Sequence, residues 1–157
     1  SEPGVGTTFA IFLPAQSMPA ETGGGGSGRL WVPEGHGECL LLVEDDVTLR
    51  TSLAELLELW NYRVVQATSG EEALALLHGS TTVELVLSDV VMPRLGGVAL
   101  VKSLRRAGRH VPVILMSGHP LDEEQVNWQQ LGVTAWLEKP PRTLQLAQAI
   151  AKALHPT

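Results

Sequence analysis

Five short apolar runs, each followed by a stretch with helical spacing, leave the chain from Cys39 to Leu154 few ways to fold. The runs are Cys39–Val43, Arg63–Ala67, Leu85–Ser88, Pro112–Met116 and Val133–Leu137. Most are continuous rather than alternating, the pattern of strands buried on both faces of a parallel sheet. Between them, Val47–Trp60 repeats Leu49, Leu53, Leu56, Leu57 and Trp60 at three- and four-residue spacing, which predicts an amphipathic helix. Ser69, with Glu72 three residues on, forms a capping box that opens a helix through about His78. A helix from about Gly97 to Ala107 turns Val98, Val101 and Leu104 inward. Asp122–Gln130 is a short polar helix with few apolar anchors and is expected to be the loosest. Thr143–Leu154 closes the pattern with Leu144, Ala147, Ile150, Ala151 and Leu154. Strand and helix repeated in this way predict an α/β fold, a doubly wound five-stranded parallel sheet with helices on both faces.

Residues 1–38 follow another logic. Ser1–Pro14 reads as glycine turn, one strand (Thr7–Leu13) and a proline stop, and a lone strand cannot satisfy its own backbone. Pro19, the run Gly23–Gly26, Ser27 and Gly28 make residues 15–38 a flexible linker by composition. The formal net charge of −6 argues against a nucleic-acid surface. No apolar run approaches the roughly 20 residues of a membrane helix, and no secretory signal pattern is present, so this segment is expected to make no membrane contact. The single cysteine, Cys39, opens an apolar strand and reads as a small buried hydrophobe in a reducing compartment, which makes the cytoplasm the expected location.

The chemistry gathers at the carboxyl ends of the strands, where open α/β sheets bind ligands. Strand one ends in Glu44-Asp45-Asp46, strand three in Asp89, strand four in Ser117-Gly118 and strand five in Glu138-Lys139-Pro140. Taken singly, each is a helix-start acid, a turn residue or a solvated lysine. Together they describe one site. Crowded carboxylates repel, so the site should recruit a divalent cation or keep one member protonated. Oxygen-only ligands with room for water suit Mg²⁺. Such a cation orients a phosphoryl group toward a carboxylate nucleophile, and a lysine opposite adds a second positive charge. The implied chemistry is phosphoryl transfer to an aspartate.

The segments Leu42-Val43-Glu44-Asp45-Asp46, Leu87-Ser88-Asp89-Val90-Val91-Met92-Pro93, Met116-Ser117-Gly118 and Glu138-Lys139-Pro140 resemble a receiver domain of a two-component system across residues 39–155. The resemblance implies a flavodoxin-like, CheY-like (βα)5 fold with strand order 2-1-3-4-5. It implies Asp89 as phosphoacceptor, Asp45 as direct Mg²⁺ ligand, Glu44 acting through water and the Val91 carbonyl as a further ligand. It also implies Ser117 as switch hydroxyl, Lys139 as phosphate partner, and a cis Lys139-Pro140 bond. Ser1–Pro14 resembles the closing strand of a histidine-kinase ATPase domain, with its Gly-x-Gly-Thr-x-Phe and Leu-Pro pattern. The resemblance therefore implies a remnant of that domain over 1–14, a linker over 15–38 and a receiver at the C-terminal end of a hybrid sensor histidine kinase. The expected partner is a histidine-phosphorylated kinase or phosphotransfer domain. Phosphorylation is expected to change the surface of the 122–130 helix, strand five and the 143–154 helix, and allows a phosphorylation-dependent dimer. No output domain is expected after Thr157, with output passing through a partner or back to the kinase.

Three positions depart from the family pattern. Trp136 stands where receivers carry Tyr or Phe as the moving switch aromatic, and its bulk should restrict that swing or leave it a core aromatic. Glu44 replaces the commoner Asp. Gly118, followed by His119-Pro120, loosens the Ser117 loop. Val91 and His119 flank the expected line of attacking water and should tune acyl-phosphate lifetime. His36, His78, His110 and His155 lack the acidic neighbour of a phosphodonor box and are expected on the surface, so the phosphoryl donor lies elsewhere. Two rival readings remain: a receiver-like interaction module independent of phosphorylation, and a Mg²⁺-dependent aspartyl phosphatase. The second requires Asp two residues after its nucleophile, where this chain has Val91. On the favoured reading the domain is a switch, with only self-phosphorylation and dephosphorylation to its credit as an enzyme.

Overall fold

The computed structural model describes residues 35–79, 82–118, 128 and 130–156. Of the expected 122–130 helix only Trp128 and Gln130 are described, both in turns; its other residues, His119 and the segment up to residue 34 lie outside the described residues. The described elements run β1 (Cys39–Val43), α1 (Val47–Leu59), β2 (Arg63–Ala67), α2 (Gly70–His78), β3 (Leu85–Asp89), α3 (Gly97–Arg106), β4 (Val113–Ser117), β5 (Ala135–Glu138) and α4 (Thr143–Leu154). The strands form one parallel sheet in the order β2-β1-β3-β4-β5.

Successive strand residues point to opposite faces, so one continuous apolar run feeds two cores. Leu40, Leu42, Leu85, Leu87, Ile114 and Met116 pack with Leu53, Ala54 and Leu57 of α1 and with Leu146, Ala147 and Ile150 of α4. Leu41, Val43, Val86, Val113 and Leu115 pack on the other side with Ala73 and Leu77 of α2 and with Leu100, Val101 and Leu104 of α3. Helices α1 and α4 thus cover one face of the sheet and α2 and α3 the other.

The phase of α4 differs from the expectation. Leu144 is exposed, while Leu146 and Ala153 are buried beside Ala147 and Ile150. The helix is rotated so that Leu146 joins the core on the sheet face that α4 covers at β3, β4 and β5, while Leu144 stays outside it. Strand β5 also begins later than expected. The Val133 N–H turns back to the Trp128 carbonyl (3.1 Å), and regular strand starts at Ala135. Val133 is nonetheless buried, which explains its apolar identity without a strand.

Gly35–Glu38 dock on the α1–β2 turn rather than continuing the flexible linker to residue 38. Gly35 N–H donates to the Trp60 carbonyl (2.8 Å), Gly37 N–H to the Asn61 carbonyl (3.0 Å) and Arg63 N–H to the Glu38 carbonyl (2.9 Å). Asn61 Nδ2 returns a bond to the Gly35 carbonyl at 2.8 Å. A Cβ on Gly35 would collide with the Tyr62 ring, so only glycine lets the backbone lie on that ring. At the same end of the domain, His155 Nε2 lies 3.6 Å from Glu38 Oε1. His36, His78, His110 and His155 are all exposed, as expected.

Candidate functional site

The site is built where β1, β3, β4 and β5 stop. Ladder bonding ends at Glu44, whose N–H donates to the Ala67 carbonyl at 3.1 Å. Two residues later Asp46 caps α1, with Oδ1 accepting from Leu49 N–H at 2.7 Å. Glu44 and Asp45 occupy the short bridge between strand and helix. Asp46, the third acid of the run, is committed to the cap. Asp89 is the last residue of β3 and is buried. The chain behind it is pressed close: a Cβ on Gly97 would meet the Asp89 carbonyl oxygen, so glycine lets the start of α3 pack against this peptide.

Carboxylate oxygens of Glu44, Asp45 and Asp89 all lie within 4.8 Å of one another. Lys139, which follows β5, reaches into this group. Its Nζ is 2.7 Å from Glu44 Oε2 and 2.7 Å from Asp89 Oδ2. The second Asp89 oxygen accepts the Val91 N–H at 3.1 Å. Asp89 therefore has each oxygen held by a different donor, which fixes the plane of its carboxylate. Ser117 ends β4 beside them, buried, and its carbonyl accepts the Lys139 N–H at 2.7 Å. The Lys139-Pro140 peptide is cis.

Burial pushes the Glu44 carboxyl up, and the Lys139 ammonium offsets only part of this, so its pKa stays above the ordinary glutamate value. Burial acts to lower Lys139, but its bonds to Asp89 and Glu44 outweigh burial and leave the ammonium more firmly protonated than an ordinary lysine. The lysine is thus a fixed cation. The all-oxygen donor set fits a hard divalent cation, and Asp45, exposed while its partners are buried, opens the group to water.

The structure brings together Glu44, Asp45, Asp89, Lys139 and the Val91 main chain, with Ser117 on the neighbouring strand end. Val91 itself is 68% exposed, placing its side chain at the mouth of the site. Trp136 lies elsewhere. It sits on β5 opposite Leu115, half-buried against the α3-side core. Its indole N–H is sealed from solvent and has no hydrogen-bond partner among the described residues. Two contributors are not among the predicted site residues: Gly97, expected only as a helix start, and Arg50, whose Nη1 donates to the Glu44 carbonyl at 2.7 Å. The signal for Arg50 was its cationic charge near the start of a helix, where a cation is poorly placed.

Residues 40–151 match the family described as response regulator receiver domain. The chain belongs to this family. The receiver is 37% identical over 116 residues to the transcriptional regulatory protein CpxR of Klebsiella pneumoniae, covering 74% of this chain and 49% of that protein. It is 32% identical over 170 residues to the sensor kinase CckA of Brucella abortus, covering 99% of this chain and 17% of that protein. The chain thus spans about half the length of the first curated relatives it matches. Among solved structures, a response regulator receiver protein from Pseudomonas putida superposes with a TM-score of 0.69 at 28% identity, over 75% of this chain and 98% of that one. The receiver domain of a signal transduction histidine kinase from Syntrophus aciditrophicus gives 0.67 at 30% identity, over 75% and 90%. Receivers of two-component systems carry phosphoaspartate, take the phosphoryl group from histidine kinases or phosphotransfer proteins, and generally bind Mg²⁺ at an acidic pocket.

Proposed function

We propose that this receiver accepts a phosphoryl group from phosphohistidine onto Asp89, assisted by Mg²⁺ at Glu44, Asp45 and Asp89. The observation that carries the reading is the Asp89 carboxylate held between the Val91 N–H and the Lys139 ammonium, beside two further carboxylates. An Asp89 oxygen attacks phosphorus, the P–N bond to the donor imidazole breaks, and the imidazole nitrogen keeps the electron pair. Lys139 then faces the charge that accumulates on the transferred oxygens. Ser117, at the end of the adjacent strand, supplies a hydroxyl toward the same group. When bound, Mg²⁺ would neutralise phosphoryl oxygens and the carboxylates that would otherwise repel them. The Val91 carbonyl completes the proposed donor set.

The alignment with a sensor kinase extends over 99% of the chain, well beyond the receiver fold. That extent supports a hybrid sensor histidine kinase as the parent, with residues 1–14 from its ATPase domain and 15–34 as linker. The surface that phosphorylation changes is then the 122–130 segment, β5 and α4, with Trp136 on β5 either a switch aromatic of restricted swing or a fixed core aromatic.

Incubation with acetyl phosphate or phosphoramidate and Mg²⁺, followed by phosphate-affinity electrophoresis, tests the reading. Wild type should gain one acid-stable, alkali-labile phosphoryl group, and Asp89→Asn none. Equal labelling of both proteins refutes Asp89 as acceptor. Absence of labelling, together with unchanged spectra on adding beryllofluoride, would leave a phosphorylation-independent interaction module.

A further inference from the structure

Arg50 sits in the first turn of α1, half-buried, and both hydrogen bonds of its guanidinium among the described residues go to main-chain carbonyls. Nη1 donates to the Glu44 carbonyl at 2.7 Å and more weakly to the Asp45 carbonyl at 3.4 Å. Its own N–H donates to the Asp46 carbonyl at 2.9 Å in the helix. A cation at this end of a helix opposes the dipole. The acid at this helix end is the Asp46 cap, which is engaged by the Leu49 N–H, and the first turn itself contains no acidic residue to pair with Arg50. Local preference is broken here, and such breaks mark places where another requirement prevails.

The requirement is visible in the backbone. Between the last ladder bond at Glu44 and the Asp46 cap, the peptide carbonyls of Glu44 and Asp45 have left the sheet and have not joined the helix. These are the peptides that carry two of the three clustered acids. Asp45 is exposed, so packing does not orient it. The guanidinium is a rigid planar donor, and its Nη1 reaches both carbonyls, the Glu44 carbonyl closely and the Asp45 carbonyl more weakly. We infer that Arg50 is a positioning residue for cation binding, holding the Glu44–Asp45 peptides so that both carboxylates converge with Asp89. This rests on the reading of the acid group as a divalent-cation site.

Electrostatics and positioning predict opposite signs, which makes the inference testable. If Arg50 acted through charge alone, removing it would tighten cation binding, because one repelling cation disappears. If it acts by holding the two peptides, removing it loosens the carboxylates and weakens binding. Groups that orient metal ligands typically change affinity about 10–100-fold when removed. Mn²⁺ should be titrated into the full chain, with the free ion followed by electron paramagnetic resonance and Mg²⁺ added as competitor. Each protein is measured below its own melting temperature. Arg50→Gln is expected to bind Mn²⁺ about tenfold more weakly than wild type. Arg50→Lys keeps the charge and one donor, and is expected to recover part of the loss. Should Arg50→Gln not fold, weaker binding by Arg50→Lys alone supports the clamp, because the charge is unchanged. Equal or tighter binding by the folded variants overturns the inference. Wild type and Asp45→Asn both failing to bind Mn²⁺ would overturn the cation site itself, an outcome distinct from failure of the clamp.

Discussion

Replacing Lys139 with methionine keeps the length and apolar stem of the side chain and removes its charge. In the wild type that charge lies 2.7 Å from both Glu44 Oε2 and Asp89 Oδ2. Each contact is worth about 6 kcal/mol of Coulomb attraction at an effective dielectric of about 20. Desolvation of the three groups offsets most of this, so the pair is no measure of net stability. Loss of one partner is another matter, because it leaves carboxylates buried and uncompensated, at a cost of about 3–5 kcal/mol when burial is complete. Glu44 is 1% exposed, but Lys139 is 17% exposed and Asp45 opens to solvent. We therefore expect Lys139→Met to lose about 2–3 kcal/mol without added metal. For a domain of this size that is roughly 8–12 °C in melting temperature.

The loss should depend on pH with a definite sign. The Glu44 carboxyl already sits above the ordinary glutamate value because of burial, and Lys139 is what restrains it. In the variant the folded state holds a proton that the unfolded chain has released, so stability falls as pH rises between the two pKa values. Acid should therefore restore part of the stability. Mg²⁺ should restore more, about 2.7 kcal/mol at a hundred times its Kd, and with a lower Kd than in wild type. Calorimetry across pH, with and without Mg²⁺, measures all three effects. A variant that melts within 2 °C of wild type and follows the same pH profile would show that water already screens these charges, and the argument from burial would be wrong.

Gly97→Ala places a methyl group against the Asp89 carbonyl, which is backbone and cannot step aside, so we expect a loss of about 1–3 kcal/mol in urea unfolding together with slower phosphorylation of Asp89. Val91→Asn puts an amide at the exposed mouth of the site and should shorten the acyl-phosphate lifetime several-fold; an unchanged hydrolysis rate excludes Val91 from that role. Ser69→Ala removes the oxygen that accepts the Glu72 N–H at 3.2 Å and should cost about 1 kcal/mol. Glu72 is held below the ordinary glutamate value by its bonds to the Thr68 hydroxyl and N–H. Its contribution is present above the unfolded carboxyl pKa and lost as pH falls through the folded one, so urea midpoints of wild type and Glu72→Gln should converge in acid.

The sheet is legible in the sequence because β1, β3 and β4 are buried on both faces and apolar along most of their length, so their positions survive without any knowledge of their neighbours. The acid cluster was legible for a similar reason: Glu44, Asp45, Asp89 and Lys139 each stand immediately after such a run, and a parallel sheet brings those ends together. What escaped were features decided by the backbone. Arg50 binds carbonyls, which every residue possesses, so nothing in the acid motif announces its partner. The capping box predicted at Ser69 and Glu72 is half made: Ser69 Oγ accepts the Glu72 N–H at 3.2 Å, while the Glu72 carboxylate reaches Thr68, at 2.7 Å to the N–H and 2.6 Å to the hydroxyl. Leu144 and Leu146 differ by two residues on one helix, and the choice between them depends on a packing partner across the sheet. The docking of Gly35–Glu38 lay hidden inside glycine-rich composition, because glycine serves both a loose tether and a backbone pressed flat on an aromatic ring.

That docking and the His155–Glu38 approach place residues 35 and 155 at one pole of the domain, while Asp89 occupies the other. Changes to the chain at residues 35 or 155 therefore fall on the side of the described fold away from Asp89 and its neighbouring acids.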